Sequence, residues 1–405
     1  MELPLEGIRI LDLSRLLPGP FATQLLADFG AEVIKVEDPL QGDYLRWREP
    51  YITNGEYKES AAFLALNRNK KSIILDLKQL EGQEVFYKLA ATTDVILETF
   101  RPGVVNKLKI DYESIREINP RIIYCSLTGF GQNGPYQDLP GHDLNYIGVG
   151  GMACLTGEPD CPMLMGVPVA DIGGGALNAA IAILMAIIAR NKTGEGQYID
   201  VAMLDGAMSW LAYAFSRYWA TKELPIRGND RLTGGRPGYG IYKTKDQKYI
   251  AVGALEQKFW ENLCKVINRP NLIKNPQPQG PEKKEIVEIL KKAFLTKTRA
   301  EWLAISKKND VCISPAYELD ELINDPQVQA REMLIAFDDD RLGTLKYLGM
   351  PFKLSQTPGQ IRFRAPGYGE HTNEILRTLG YSNEEITHLQ QISVISPSPI
   401  EKKGE

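Results

Sequence analysis

Along the first two hundred residues, short aliphatic and β-branched runs alternate with longer stretches of helical spacing. Ile8–Leu13 reads as a buried strand, and Ala31–Val36, Ser72–Leu77, Asp94–Glu98 and Arg121–Leu127 read as further strands. Phe21–Phe29 has the spacing of a helix and ends at Gly30, a residue suited to the left-handed turn that closes many helices. A Pro-Gly-Pro run from Pro18 reads as a break between the first strand and that helix. Glu81–Ala91 and Tyr112–Ile118 read as further helices. This repeated strand–helix rhythm predicts an α/β fold with a parallel sheet and helices on its faces.

Residues 172–189, IGGGALNAAIAILMAIIA, carry no charge and come close to the length that spans a bilayer. Three glycines, Asn178 and the ordinary character of the flanking chain favour a helix buried in the core instead. From about Thr221 the texture changes to loop, hairpin and helix. Asp246 and Gln247 form the expected turn between strands 239–243 and 248–253, and residues 270–283 are a polar, proline-rich connection. Helical spacing resumes over Glu285–Phe294 and Arg299–Lys307. Residues 228–325 therefore read as a smaller α+β domain, and 396–405 as a frayed tail.

Composition narrows the function classes. A chain of 405 residues is long for one hydrophobic core, and 43% hydrophobic with 24% charged residues is an ordinary globular balance. A net charge of −4 gives no general attraction to nucleic acid. Cys125, Cys154, Cys161, Cys264 and Cys312 form no CxxC pair, and the histidines are only His142, His371 and His388, so no metal cluster is expected. Free thiols and an acidic N-terminus unlike a secretory signal point to a cytoplasmic protein without membrane insertion. No GxGxxG follows the first strand, which leaves dinucleotide redox chemistry without support.

Candidate chemistry concentrates in three places. GHDLNY, residues 141–146, follows a glycine- and proline-rich loop, and His142 there is either a loop-stabilising group or an acid/base. Asp171 opens the long apolar helix, where an aspartate serves equally as a plain N-cap or as a base beside backbone N–H groups able to hold an oxyanion. Glu256, at a predicted strand end, has the plainer reading of a favourable first-turn charge. Arg15, Lys35, Arg68, Lys70, Lys71, Lys78, Arg101 and Lys107 are scattered near predicted strand ends, where open parallel sheets bind ligands.

Seven separated segments, in order, resemble the class III CoA-transferase and α-methylacyl-CoA racemase superfamily. They are LEGIRILDLSRLLPGPFATQLLADFGAEVIKVEDP, NRNKKSIILDLK, DVILETFRPGV, SLTGFGQNGP, GHDLNY, VADIGGG and KTGEGQYIDVAMLDG. The resemblance implies a Rossmann-like large α/β domain plus a smaller α+β domain, in an interlocked homodimer. It places 1–227 and 326–395 in the large domain and 228–325 in the small one. It implies an acyl-CoA thioester as substrate, with coenzyme A bound only as part of it and no permanent cofactor. Asp171 matches the aspartate shared by both branches, nucleophile in transferases and acid/base in racemases. His142, Tyr146 and Glu256 match racemase active-site positions, with Glu256 supporting the histidine. Leu75 through Lys78, Thr99, Phe100 and Lys107 match CoA-binding positions, and Arg15 and Lys35 are nearby cations, Lys35 as a substitute where Asp38 replaces an arginine common in relatives. Val167 replaces a racemase asparagine, and the segment APGYGEHTNEILRTLGY is closer to the transferase branch.

The leading expectation is therefore a racemase or epimerase of 2-methylacyl-CoA thioesters, with His142 and Asp171 exchanging the α-proton. The rival is CoA transfer between carboxylic acids through an acyl-Asp171 intermediate. A third reading is an inactive acyl-CoA-binding member of the family.

Overall fold

The structure, a computed structural model, describes residues 2–396. The tail 396–405 lies outside the described residues except for Ser396. The chain divides into two compact units. One comprises the chain up to Gly150, Val167–Trp210 and the chain from Glu332 onward; the other comprises Gly151–Gly166 and Leu211–Arg331.

The first unit is built on six parallel strands: β1 (Arg9–Leu13), β2 (Glu32–Glu37), β3 (Lys70–Ile74), β4 (Val95–Glu98), β5 (Ile123–Thr128) and β6 (Gln197–Ala202). Their order in the sheet is β6-β5-β4-β1-β2-β3. The chain starts at β1, builds outward through β2 and β3, then returns to β4 and builds the other way. The direction reverses between β1 and β4, and at such a point the loops leaving neighbouring strands part to open a crevice. Apart from the edge strand β6, these strands are buried on both faces, which explains their nearly continuous apolar character.

Helix α1 (Pro18–Asp28) packs on one face of the sheet. The Pro-Gly-Pro run does not break the chain but starts this helix, because proline in the first turn gives up only an N–H that has no helical partner. On the other face a single core joins Leu11, Ile34 and Ile96 of the sheet to Phe86 of α2 (Leu80–Ala90) and Ile115 of α3 (Tyr112–Ile118). Ile375 and Leu389, from the C-terminal helices Thr372–Thr378 and Asn383–Gln391, belong to the same core.

The C-terminal segment also closes the open edge of β3. The Ser72 carbonyl accepts from the His371 N–H at 2.9 Å, the Ser72 N–H donates to His371 Nδ1 at 3.3 Å, and the Ile74 N–H donates to Thr372 Oγ1 at 3.1 Å. An exposed edge would be a template for aggregation. Burial pushes the His371 imidazole below its ordinary range, with Glu370 and Glu374 pulling up and Lys71 and Arg364 pushing down. The folded chain thus binds this proton less readily than the unfolded chain, so His371 costs stability as pH falls below about 6.5 and through its lower folded value. Denaturant midpoints measured from pH 7.5 to 5 should fall less in His371→Asn, which keeps an acceptor without a titrating ring. An equal fall in both proteins would remove His371 from the account.

The apolar stretch differs from expectation. It forms a π-helical turn, Val169–Ala176, followed by α5 (Leu177–Thr193) after the intervening helix α4 (Asp143–Val149). It is not wholly buried. Ala180, Ile183, Ile187 and Arg190 face inward, while Ile181, Leu184, Met185 and Ile188 are exposed, Met185 by 65%. The two sets fall on opposite faces of one helix.

The second unit has its own antiparallel sheet: β7 (Tyr239–Lys243), β8 (Tyr249–Gly253) and β9 (Ile313–Ala316), in order β7-β8-β9. The turn between β7 and β8 places Gln247 in the left-handed region. Its core gathers Trp260, Phe294 and Trp302, with both indole N–H groups donating to backbone carbonyls, of Leu272 at 3.0 Å and Phe294 at 2.9 Å.

Candidate active site and a neighbouring cleft

Two short segments of the first unit bring the predicted reactive groups together. Helix α4 is preceded by His142, whose backbone N–H donates to Asn145 Oδ1 at 3.0 Å, a local cap that fixes where the histidine leaves the chain. One turn on, Tyr146 is buried and donates its hydroxyl to the Gly141 carbonyl at 2.6 Å. A Cβ on Gly129 or Gly141 would stand 2.2 or 2.6 Å from its ring, so both glycines are room for this tyrosine. Burial, then the charges of Asp171 and Asp143, push the Tyr146 hydroxyl up to about 12.

The second segment is the π-helical turn. Asp171 is its third residue, not the cap, since the helix opens at Val169 after Pro168. The Asp171 N–H donates to Asp143 Oδ1 at 2.9 Å, so it is not free to hold an oxyanion. Of the glycines behind Asp171, Gly173 and Gly175 leave room for the Trp210 and Met203 side chains, and Gly174 serves a backbone contact. A Cβ on Gly174 would lie 2.6 Å from the Met203 carbonyl oxygen, and one on Gly206 would lie 1.9 Å from that of Gly174, where helix α6 (Met203–Ser209) crosses the turn. Burial pushes the Asp171 carboxyl up to about 6, Asp143 adds to the rise, and the charge of His142 opposes it. A partly buried carboxyl that titrates near neutrality beside an imidazole can take a proton or give one.

A cleft of about 950 Å³ opens at the carboxyl ends of β1, β2 and β3 and gathers six of the predicted CoA residues: Arg15, Leu75, Asp76, Leu77, Lys78 and Phe100. Arg15 and Phe100 come from the loops after β1 and β4, the two strands between which the sheet reverses direction. The Arg15 guanidinium pairs with Asp38, donates to the Tyr44 hydroxyl at 2.8 Å, and stands 5.0 Å from the Tyr44 ring and 6.0 Å from that of Phe100. Thr99 precedes Phe100 in the same loop, which Glu98 Oε2 holds by accepting the Phe100 N–H at 2.7 Å. Lys107 is exposed at the end of the short helix Val104–Lys107, whose Val104 lines the cleft.

Lys35 does not reach this cleft. It is fully buried, its Nζ donating to the Ser14 carbonyl at 2.8 Å and pairing with Asp43 at 2.9 Å. Asp171, His142 and Tyr146 lie outside the cleft's walls. Glu256 lies in the second unit, exposed, as the residue before helix α7 (Gln257–Val266). Sequence reasoning passed over Asp143 and Glu98. Asp143 sat inside a segment already singled out, whereas Glu98 closed an apolar run and carried no signal of the burial that pushes its carboxyl up to about 7.

CoA-transferase family III matches residues 5–372. The α-methylacyl-CoA racemase of Homo sapiens is 36% identical over 408 residues, covering 98% of each chain. The succinate–glutarate CoA-transferase of Agrobacterium fabrum is 37% identical over 385 residues, covering 93% of this chain and 96% of that protein. Among solved structures, a CAIB/BAIF family protein from Brucella suis superimposes with a TM-score of 0.82 at 34% identity, covering 94% of this chain and all of that one.

Proposed function

This chain belongs to CoA-transferase family III, and from that premise we propose that it interconverts the two configurations at the α-carbon of 2-methylacyl-CoA thioesters. One observation carries the reading: the Asp171 N–H bonds to Asp143 at 2.9 Å, which sets the Asp171 segment against the helix that His142 precedes, and burial there pushes the Asp171 carboxyl up to about 6. A thioester acidifies its α-proton. One of the pair removes that proton, breaking the C–H bond and leaving an enolate; the other, in its acid form, delivers a proton to the opposite face. Each must act as base in one direction and acid in the other, which a carboxylate of ordinary pKa does poorly near neutral pH. The adenosine end of coenzyme A is assigned to the cleft around Arg15, Lys78 and Phe100. The name of the human relative is in line with this reading.

The rival reading, CoA transfer between carboxylic acids, uses the same Asp171 as nucleophile and is in line with the name of the Agrobacterium relative. Under both readings we propose a cytoplasmic homodimer, with a second copy covering the exposed apolar face of α5, Ile181, Leu184, Met185 and Ile188.

Incubation with a 2-methylacyl-CoA in deuterated water separates the two. Proton NMR should show the α-signal disappearing without any added acid. Retention of that signal, with coenzyme A passing to an added dicarboxylate, would replace the racemase by the transferase.

A further inference from the structure

We propose that Asp143 is a positioning residue for Asp171: its carboxylate grips the Asp171 N–H, ties the two reactive segments together, and lays a second negative charge beside the Asp171 carboxyl. The proposal rests on Asp171 being the reactive carboxylate, which both readings above require.

The geometry is specific. Asp143 is the first residue of α4, next to His142, and Asp171 is 28 residues on in the π-helical turn. The N–H groups of a helix's first turn have no partner within the helix, and this one finds its acceptor on the neighbouring reactive segment at 2.9 Å. The middle of α4 is fixed independently by Tyr146, seated against Gly129 and Gly141. With α4 held at Asp143 and at Tyr146, His142 and Asp171 keep a set relation, and reactions between positioned groups are sensitive to displacements of an ångström.

The choice of aspartate matters as much as the bond. A neutral acceptor would satisfy the N–H without opposing the ionisation of Asp171. A carboxylate in that place raises the proton affinity of Asp171, an effect additional to burial. Capping and tuning are thus separable functions of one side chain.

Two neutral acceptors separate them. In the full-length protein labelled with ¹³C at aspartate carboxyls, the Asp171 signal is the one missing from Asp171→Asn. In Asp143→Asn its titration midpoint should fall by on the order of half a unit to one unit relative to the parent, and the acid limb of the exchange rate should shift with it. Asp143→Ser should behave likewise and serves if the asparagine variant does not fold. Asp143→Ala, which removes the acceptor too, should lower kcat about 10- to 100-fold while KM changes less than about threefold. An unmoved Asp171 midpoint in the neutral variants overturns the proposal. The carboxyl titration does not depend on which reaction the site performs. A shifted midpoint without α-exchange would therefore keep Asp143 in its role and count only against the racemase.

Discussion

Asp171→Asn should lower kcat/KM for α-deuterium exchange by about 10³-fold. Asparagine preserves the shape of the side chain and the backbone bond to Asp143, but it neither accepts nor donates the α-proton at any accessible pH. KM should change little, because the cleft around Arg15 and Phe100 is built from other loops. The same substitution should stabilise the fold. The Asp171 carboxyl titrates at about 6 in the folded chain, above the ordinary carboxylate value, so between those two values the folded state binds more protons than the unfolded one and stability falls as pH rises. Removing the charge relieves that cost. At pH 7 the variant should unfold at a higher denaturant concentration than the parent, with the gap closing as pH drops from 6 to below about 4. A variant that is inactive but no more stable at neutral pH would mean that Asp171 is not held at the cost of its charge, and the acid/base argument would lose its footing. For the enantiomer whose proton Asp171 removes, parent kcat/KM should fall as pH drops through 6.

Much of the sheet was legible because a strand buried on both faces must be apolar throughout. Four of the five predicted strands lie within about two residues of β1, β2, β4 and β5. Ser72–Leu77 was displaced toward the C-terminus: its apolar run continues past Ile74 into Leu75, whose N–H makes a last bond to the Glu37 carbonyl at 2.8 Å, and into Leu77, and both side chains line the cleft. β6 was missed for the opposite reason. At the sheet edge, Gln197 and Asp200 face solvent, and QYIDVA has too few apolar residues to read as a buried strand. The long apolar helix was found, but its division into an inward and an exposed face was not, because both faces are aliphatic and periodicity distinguishes only apolar from polar.

The site was legible where residue type itself carries the chemistry. His142 and Asp171 stood out as a histidine in a loop and an aspartate before a run of glycines, and the fold brings their segments side by side. What sequence could not supply were partners that meet only in the fold. The bond from Asp171 to Asp143 uses a backbone N–H, which leaves no trace in composition. Lys35 was misread for the same reason. A lysine within EVIKVE looks like a solvated cation, since Asp12, Asp43 and Ser14, its neighbours in the core, come from other segments.

That core network gives the largest expected effect on stability. Asp12, Lys35, Glu37, Asp43, Arg46 and Lys70 are all buried, three anions against three cations. Lys70 Nζ donates to Asp12 Oδ2 at 3.0 Å, to the Pro20 carbonyl at 3.0 Å and to Asn67 Oδ1 at 2.9 Å, using all three of its protons. Arg46 clasps Glu37 at 2.7 and 2.8 Å. Burial alone would raise the Asp12 carboxyl, but Lys70, Lys35 and the hydroxyls of Ser14 and Thr23 hold it well below the usual carboxylate range. Asp12→Asn keeps the side-chain volume but leaves two lysines sharing fewer anions in a medium that solvates charge poorly. The cost should be about 3 to 5 kcal/mol, read from the shift in denaturant midpoint. Adding Lys70→Met should recover part of it, because the second change removes the stranded charge; strictly additive losses would mean that Asp12 and Lys70 do not act as a pair. The network joins Asp12 of β1, Lys35 and Glu37 of β2, Asp43 and Arg46 just after it, and Lys70 at the start of β3, and Arg15 and Asp38, the next residues after Ser14 and Glu37, line the cleft. A chain that survives Asp12→Asn should therefore also lose affinity for coenzyme A, although no residue of the network enters the wall except Glu37.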